Sequence, residues 1–358
     1  MLTLVPESRR PEAHGAIQCL RALRAGWRLP ATQALGNVAG HAPISLLLFG
    51  QRASYDYLLE KWFGSNWTAR PEKEWTFSEA ARLHLRQTDA QVVLAPATPW
   101  TARLFSRKGW TILPFWVDCC LSLEPSVETV LGAISRTLRQ EMRATEALGY
   151  TLEYSDGKDD LEVFWTQMHL PTIRGRHGVH GILAELSQGQ ELLQNGRFMK
   201  LYRGKEWVAG GLMVHRAQEL WFAKLGWLQG DQDLLRAHVV NLLYRGAIRY
   251  AAESGYRRIN LGGCRGFLDD GIFQYKMKWR AVPEIRRFQY SGSVLWGPLY
   301  DLYAVRFDSA NETVQHLLAK HPILAARGNH LEFLTWKRER PRLIEHLHSL
   351  GWQDLSIG

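Results

Sequence analysis

The stretch between residues 196 and 263 constrains this chain most. Three runs, 198–202, 206–214 and 219–225, carry strand-forming apolar patterns, and the connectors Arg203-Gly-Lys and His215-Arg-Ala-Gln are hairpin-sized, so successive antiparallel strands are expected. A helix is predicted next over 233–254, with Leu235, Val239, Leu242, Leu243, Ala247 and Ala251 on its apolar stripe and Gly255 at its end. Arg258-Ile-Asn-Leu261 is the strand after it. Such a strand, helix, strand passage must cross over right-handed and lay its helix on the sheet. The exits of these strands are where α/β proteins place ligands. Here the exit is Asn260-Leu-Gly-Gly263, followed by the basic, aromatic segment 269–279.

Upstream the same alternation is weaker. Ile44-Ser-Leu-Leu-Leu-Phe49 and Ala90-Gln-Val-Val-Leu94 are strand candidates, the second ending before Pro96, with helices over 55–62 and 77–86 between them. The clearest helix covers 124–148, where Val127, Val130, Leu131, Ile134, Leu138 and Met142 form a stripe and Gly149 stops it. Tyr150 to Tyr154 is a strand, and 160–170 a helix closed by Pro171. Residues 1–40 suit an arm, and 291–358, with helices over 313–320 and 341–350, a helical extension. This gives an α/β (α+β) chain in four parts: arm 1–40, a first domain 41–149, a second domain 150–290 and the extension.

Charge and cysteine usage narrow the class. The 44 basic residues exceed the 35 acidic ones, a net +9 that favours an anionic partner without making a polybasic tail. No apolar run is long enough for a membrane span, and the polar N-terminus lacks a signal-peptide core, so a cytoplasmic protein with reduced thiols is expected. Four cysteines without C-x-x-C spacing, and His169, His177 and His180 without a carboxylate or thiol to complete a ligand set, lead us to expect no metal. Cys264 is read as an inert turn cysteine.

Two basic clusters could carry chemistry. On a helix Lys276 shares a side with Phe273 and Arg280, and with Tyr275 and Trp279 packed on the sheet its ammonium is held at the strand exits, where it can meet a phosphate or developing negative charge. Arg136, Arg139 and Arg143 lie beside the apolar stripe of 124–148 and read either as a solvated face or as phosphate-capturing residues. A pyrophosphate loop, by contrast, is missing. Between 225 and 233 only Gly226 and Gly230 are present, and Asp231 and Asp233 would repel the anion and serve better as helix caps.

At these residues the chain resembles the Fem-like branch of the GNAT superfamily: aminoacyl-tRNA-dependent peptidyltransferases and acetyltransferase-like proteins of polysaccharide gene clusters. The ordered parts are Ser135-Arg136-x-x-Arg139-x-x-x-Arg143, the helix ending in Arg174-Gly-Arg176-His177-Gly, Val208-Ala-Gly-Gly-Leu-Met-Val214, and Asn260-Leu-Gly-Gly263 through Phe273-Gln-Tyr275-Lys276-x-Lys-Trp279. The resemblance implies two GNAT-like domains, each a mixed, mostly antiparallel sheet flanked by helices, the first degenerate. It also implies transfer of an activated acyl group to an amine, with acyl-CoA or aminoacyl-tRNA as co-substrate and no tightly bound cofactor. Lys276 takes an electrostatic role, Asp269 or Asp270 that of general base. Arg174, Arg176, His177, Tyr275 and Trp279, with Arg136, Arg139 and Arg143 behind them, bind substrates: an anionic small-molecule, glycan or peptide acceptor, and tRNA if that is the donor. The absent pyrophosphate loop departs from the acyl-CoA pattern. The rival class is a non-catalytic GNAT-like module for carbohydrate or protein.

Overall fold

The computed structural model describes residues 28–157, 159–177, 185–285, 302–327, 330–335 and 354–356. They fall into two packed units, the first of the described residues within Met1–Val117, Arg265–Phe273 and Ile285–Gly358, the second of those within Asp118–Cys264 and Gln274–Glu284. Each is a mixed, mostly antiparallel sheet flanked by helices, as the sequence leads one to expect.

The first sheet holds β1 (Arg28–Gly36), β2 (Ile44–Phe49), β3 (Trp67–Thr76), β4 (Val92–Ala97), β5 (Thr111–Pro114), β13 (Leu302–Phe307), β14 (Ile323–Arg327), β15 (His330–Thr335) and β16 (Asp354–Ser356), in the order β16-β15-β14-β5-β13-β4-β2-β1-β3. β2 is apolar at every position but Ser45 because both faces are covered. Leu46 and Leu48 join Leu58, Trp62 and Leu317 from the helices Asp56–Phe63 and Glu312–Lys320, while Leu47 and Phe49 join Phe77 and Phe105 from Phe77–Arg82 and Pro99–Arg107. Full burial of each such side chain contributes about 1.5–3 kcal/mol.

The second sheet runs β12-β6-β11-β10-β9-β8-β7, from β6 (Trp116–Ser122), β7 (Tyr150–Ser155), β8 (Gly196–Arg203), β9 (Glu206–His215), β10 (Leu220–Trp227), β11 (Arg258–Arg265) and β12 (Val282–Ile285). The meander β8-β9-β10 and the parallel return of β11 beside β10 match the expected pattern. A helix over 161–177 packs Phe164, Trp165 and Met168 on Phe198 and Leu212. The crossover helix Val239–Glu253 brings Gly246 so close to the sheet that a Cβ there would meet Met199 Sδ at 2.6 Å and Leu152 at 2.8 Å.

Several local expectations change. The region beyond 291, read as a helical extension, supplies four strands to the first sheet as well as the expected helix Glu312–Lys320; the other helix candidate, 341–350, lies outside the described residues. Residues 28–36 of the supposed arm are β1, whose alternating burial is set by pairing with β2 and β3. Packing divides the chain at 117/118, not 149/150, because β6 joins the second sheet. β4 runs through Pro96, since its pairing with β2 ends at Leu94 and the missing N–H interrupts no bond there. The 124–148 helix is two, Val127–Ala133 and Arg136–Glu146, restarted by Ser135, whose hydroxyl accepts the Leu138 N–H. The helix ending at Pro171 instead continues to 177 through a π-helical turn, Phe164–His169, whose wider hydrogen bonds relieve the i−4 clash of proline. No helix among the described residues is long and apolar enough to cross a membrane.

Candidate functional site

The second unit opens at the end of its parallel pair. β11 stays in register with β10 at only two positions, Leu220 with Ile259 and Trp221 with Asn260. β10 then bulges against β9 between Phe222 and Lys224. The buried Asn260 side chain turns β11 here: its Oδ1 accepts the Gly262 N–H at 2.8 Å and its Nδ2 donates to Glu219 Oε1 at 3.4 Å. Gly262 has φ +82, and a Cβ would lie 3.3 Å from the Phe222 carbonyl oxygen, so glycine suits this corner on both counts.

That corner presents two carbonyls to Lys276. The helix Gly271–Lys278 starts on Asp270, whose Oδ1 accepts the N–H groups of Ile272 and Phe273, both at 2.9 Å. One turn on, Lys276 is 3% exposed and its Nζ donates to Gly262 O at 2.7 Å and Gly263 O at 2.8 Å. An ammonium with no carboxylate partner among the described residues is costly to bury, and these charge-assisted bonds to backbone dipoles offset that cost. The expected cation at the strand exit is therefore present, but clasped by the chain instead of extended into open space.

Beside it, Trp279 stacks on Tyr244 at 5.6 Å, and the Tyr275 hydroxyl donates to Asn241 Oδ1 at 2.7 Å. Asn241 Nδ2 donates in turn to Glu141 Oε2 at 2.9 Å, with His238 Nδ1 3.6 Å from the same oxygen. Burial pushes the Tyr275 phenol well above its ordinary range, Tyr244 and Glu141 add to the rise, and the Arg176 guanidinium opposes it. Tyr275 is thus a neutral donor at physiological pH. This network was not foreseen. The available signal was Asn241, an amide inside the apolar run Val239-Val-Asn-Leu-Leu243.

The arginines are at the surface. Arg174 and Arg176 are exposed near the end of the 161–177 helix, Arg176 lying 5.8 Å over the Trp227 ring. His177 ends that helix, and its side chain lies outside the described residues, as does His180. Arg136, Arg139 and Arg143 are exposed along Arg136–Glu146, with Arg139 donating to the carbonyl of Gly132. His169 is buried; its Nδ1 donates to Leu225 O at 2.9 Å, its Nε2 has no partner among the described residues, and burial lowers its pKa to about 4. No group of metal-ligating residues occurs among the described residues. Cys264 lies within β11, not on a turn, 1% exposed and with Sγ 3.3 Å from Cys119 Sγ.

The two aspartates belong to the first unit and are engaged there. Asp269 Oδ2 accepts from Lys61 Nζ at 2.9 Å and His321 Nδ1 at 2.8 Å. Burial alone would raise its pKa, but the hydrogen bonds from His321 and Lys61 outweigh this and hold the carboxyl below its usual range. Asp270, besides capping its helix, accepts from the Tyr57 hydroxyl at 3.4 Å.

The loop ahead of the crossover helix also departs from a phosphate cradle. Gln229 (φ 53) and Gly230 (φ 64) turn the chain, Asp231 Oδ1 accepts the Asp233 N–H, Asp233 pairs with Arg236, and His238 (φ 57) stands before Val239. Aspartate caps, as read from the sequence, occupy this loop.

Residues 133–277 match the family described as acetyltransferase (GNAT) domain. No match is found among curated proteins. The chain is also similar to three solved structures: FemX (12% identity over 72% of this chain and 82% of that chain, TM-score 0.40), the C-terminal domain of a lysylphosphatidylglycerol synthetase from Agrobacterium fabrum (14%, 83% and 89%, TM-score 0.39), and a tandem GNAT protein from the clavulanic acid biosynthesis pathway (10%, 77% and 82%, TM-score 0.33). The matched segment runs from Ala133, the last residue of the helix before the Ser135 restart, to Met277, the residue after Lys276, and so takes in the basic helix, the meander, the crossover and the clasped lysine. The ordered motifs read from the sequence fall largely within this segment: residues 133–277 carry a match to the acetyltransferase (GNAT) domain.

Proposed function

We propose that this protein transfers an activated acyl or aminoacyl group to an amine, in the manner of Fem-like enzymes. The observation that carries the reading is the early parting of β10 and β11, with the Lys276 ammonium seated on the carbonyls of Gly262 and Gly263. Past Trp221 the β10 backbone loses its parallel neighbour, and the bulge between Phe222 and Lys224 takes it out of the regular ladder, leaving main-chain groups for an extended substrate. In this reading the amine nitrogen attacks the acyl carbonyl carbon, a C–N bond forms and the C–S or C–O bond to the donor breaks. The amine proton leaves to a base, and the departing thiolate or alkoxide gains one.

Lys276 acts as a positioning residue with an electrostatic contribution: it fixes the β11 corner and places positive charge beside the developing oxyanion. Arg174 and Arg176, exposed at a helix end, bind the anionic part of donor or acceptor, with Tyr275 and Trp279 behind them and Arg136, Arg139 and Arg143 as a second basic stripe. Asp269, neutralised by Lys61 and His321, is poorly suited to serve as the base, and Asp270 is occupied with its helix. Aspartates in the loop before the crossover helix disfavour a pyrophosphate there, which supports aminoacyl-tRNA over acyl-CoA as donor.

The test pairs binding with product. The protein is incubated with acetyl-CoA or charged tRNA and a panel of amines, while thermal shift reports binding and mass spectrometry reports the amide. Amine-dependent deacylation of tRNA supports the favoured donor, and amine-dependent thiol release supports acyl-CoA. No amide from either donor overturns the transferase reading in favour of a binding module.

A further inference from the structure

The first unit holds a cavity of about 470 Å³, well away in sequence from the GNAT motifs. Its lining includes His84 and Arg86 from the turn after Phe77–Arg82, Gly109 and Thr111 at the start of β5, and Arg306 and Phe307 at the end of β13. That volume lies in the range of small-molecule sites. Among the described lining residues there are two arginines and a histidine, and no carboxylate.

Arg306 is the informative member. Its Nη2 donates to the carbonyl of Lys108, and its guanidinium lies 5.1 Å from the centre of the Trp110 ring, so the fork is held from two sides. Its Nε is buried and has no acceptor among the described residues. No ion pair of Arg306 or Arg86 occurs among the described residues either, and Asp308, next but one along the chain, accepts the Ala310 N–H with its Oδ1. Two arginines and a histidine thus line this space with no carboxylate among the described lining residues, and the Arg306 guanidinium is already anchored, an arrangement that suits an anion.

We propose that this cavity is a second ligand site, for a small organic phosphate. The phosphate oxygens engage the fixed Arg306 fork, Arg86 and His84 close over them from the exposed side, and the half-buried Phe307 meets the organic part. A guanidinium held in place by a carbonyl and an indole is pre-set to donate its remaining N–H groups to phosphate oxygens. The site is independent of the acyl-transfer reading, because it lies wholly within the first unit and its test measures binding alone.

Calorimetric titration of the full chain with AMP, adenosine and inorganic pyrophosphate tests this directly. One molecule of AMP should bind, pyrophosphate should compete with it, and adenosine should not bind. Arg306→Met should weaken AMP about tenfold or more, the usual worth of a charge-assisted contact, and the exposed Arg86→Ala severalfold without affecting the fold. If Arg306→Met lowers stability, Arg306→Lys keeps the charge while losing the fork and should weaken AMP to a similar degree. The proposal is overturned if AMP and pyrophosphate both fail to bind, if adenosine binds as well as AMP, or if binding is unchanged in the Arg306 and Arg86 variants.

Discussion

In the second unit the Lys276 ammonium rests on two backbone carbonyls, whereas in the first unit the Asp269 carboxylate lies between Lys61 and His321. Both are buried ionic groups, but they are compensated differently. Dipoles solvate Lys276 without cancelling its charge, so its field remains available to a negatively charged partner. Lys61, with His321, cancels Asp269, and little field remains. Of the two residues, Lys276 read as an electrostatic group and Asp269 as one candidate for the base, the one held by neutral groups is the better placed to act at a distance.

The sharpest way to break this comparison is Lys276→Met. It keeps the apolar stem but leaves both carbonyls unsatisfied, and should cost about 4 kcal/mol by denaturant titration as well as most of the turnover. Full activity in a folded variant would remove the electrostatic role. Asp269→Asn should cost about 3 kcal/mol, because Lys61 and His321 are then left partly buried without an anion, yet turnover per folded molecule should be unchanged. Its pH signature follows from the sign of the shift. With the folded pKa held below 3.8, the carboxylate contributes stability above that value, which disappears as pH falls through the folded pKa; the variant should lack this loss.

A smaller effect distinguishes His169. Its folded pKa of about 4 against 6.5 means that the unfolded chain binds the extra proton between these values, so stability should fall by about 2 kcal/mol as pH drops from 6.5 towards 4. His169→Gln should flatten that limb in acid melts. Replacing Arg136, Arg139 and Arg143 together by Ala should change stability by less than about 0.5 kcal/mol per site, while reducing the salt dependence of tRNA binding if that is the donor. An unchanged salt slope would leave the exposed stripe a solvated face.

Much of the second unit was legible because its signals are local. Hairpin connectors, apolar alternation and one long helix before Gly255 fix the meander and the crossover, and the strand exit at Asn260 to Gly263 followed from them. What stayed hidden depends on distant partners. Nothing local to Lys276 says that its charge will meet two carbonyls thirteen and fourteen residues away, or that Asp269 will be claimed by Lys61 and His321. The first unit was harder for the same reason: β13 lies between β4 and β5, about 190 residues from β5 and about 210 from β4 in sequence, so 302–307 gave no hint that it completes a sheet. His238 in a left-handed conformation split an otherwise continuous helical pattern into Gln232–Arg236 and Val239–Glu253, a break no glycine announces.

The widened turn Phe164–His169 acts as a one-residue phase adjuster. Each residue advances a helix by about 100°. Without the extra residue, everything beyond 169 would be rotated by that amount, carrying Thr172 off the Trp227 backbone, to which its hydroxyl is bonded, and Arg176 off the indole it now covers. Deleting a single position in this turn is therefore enough to re-aim the cationic tip of the helix while leaving its amino-acid composition almost intact.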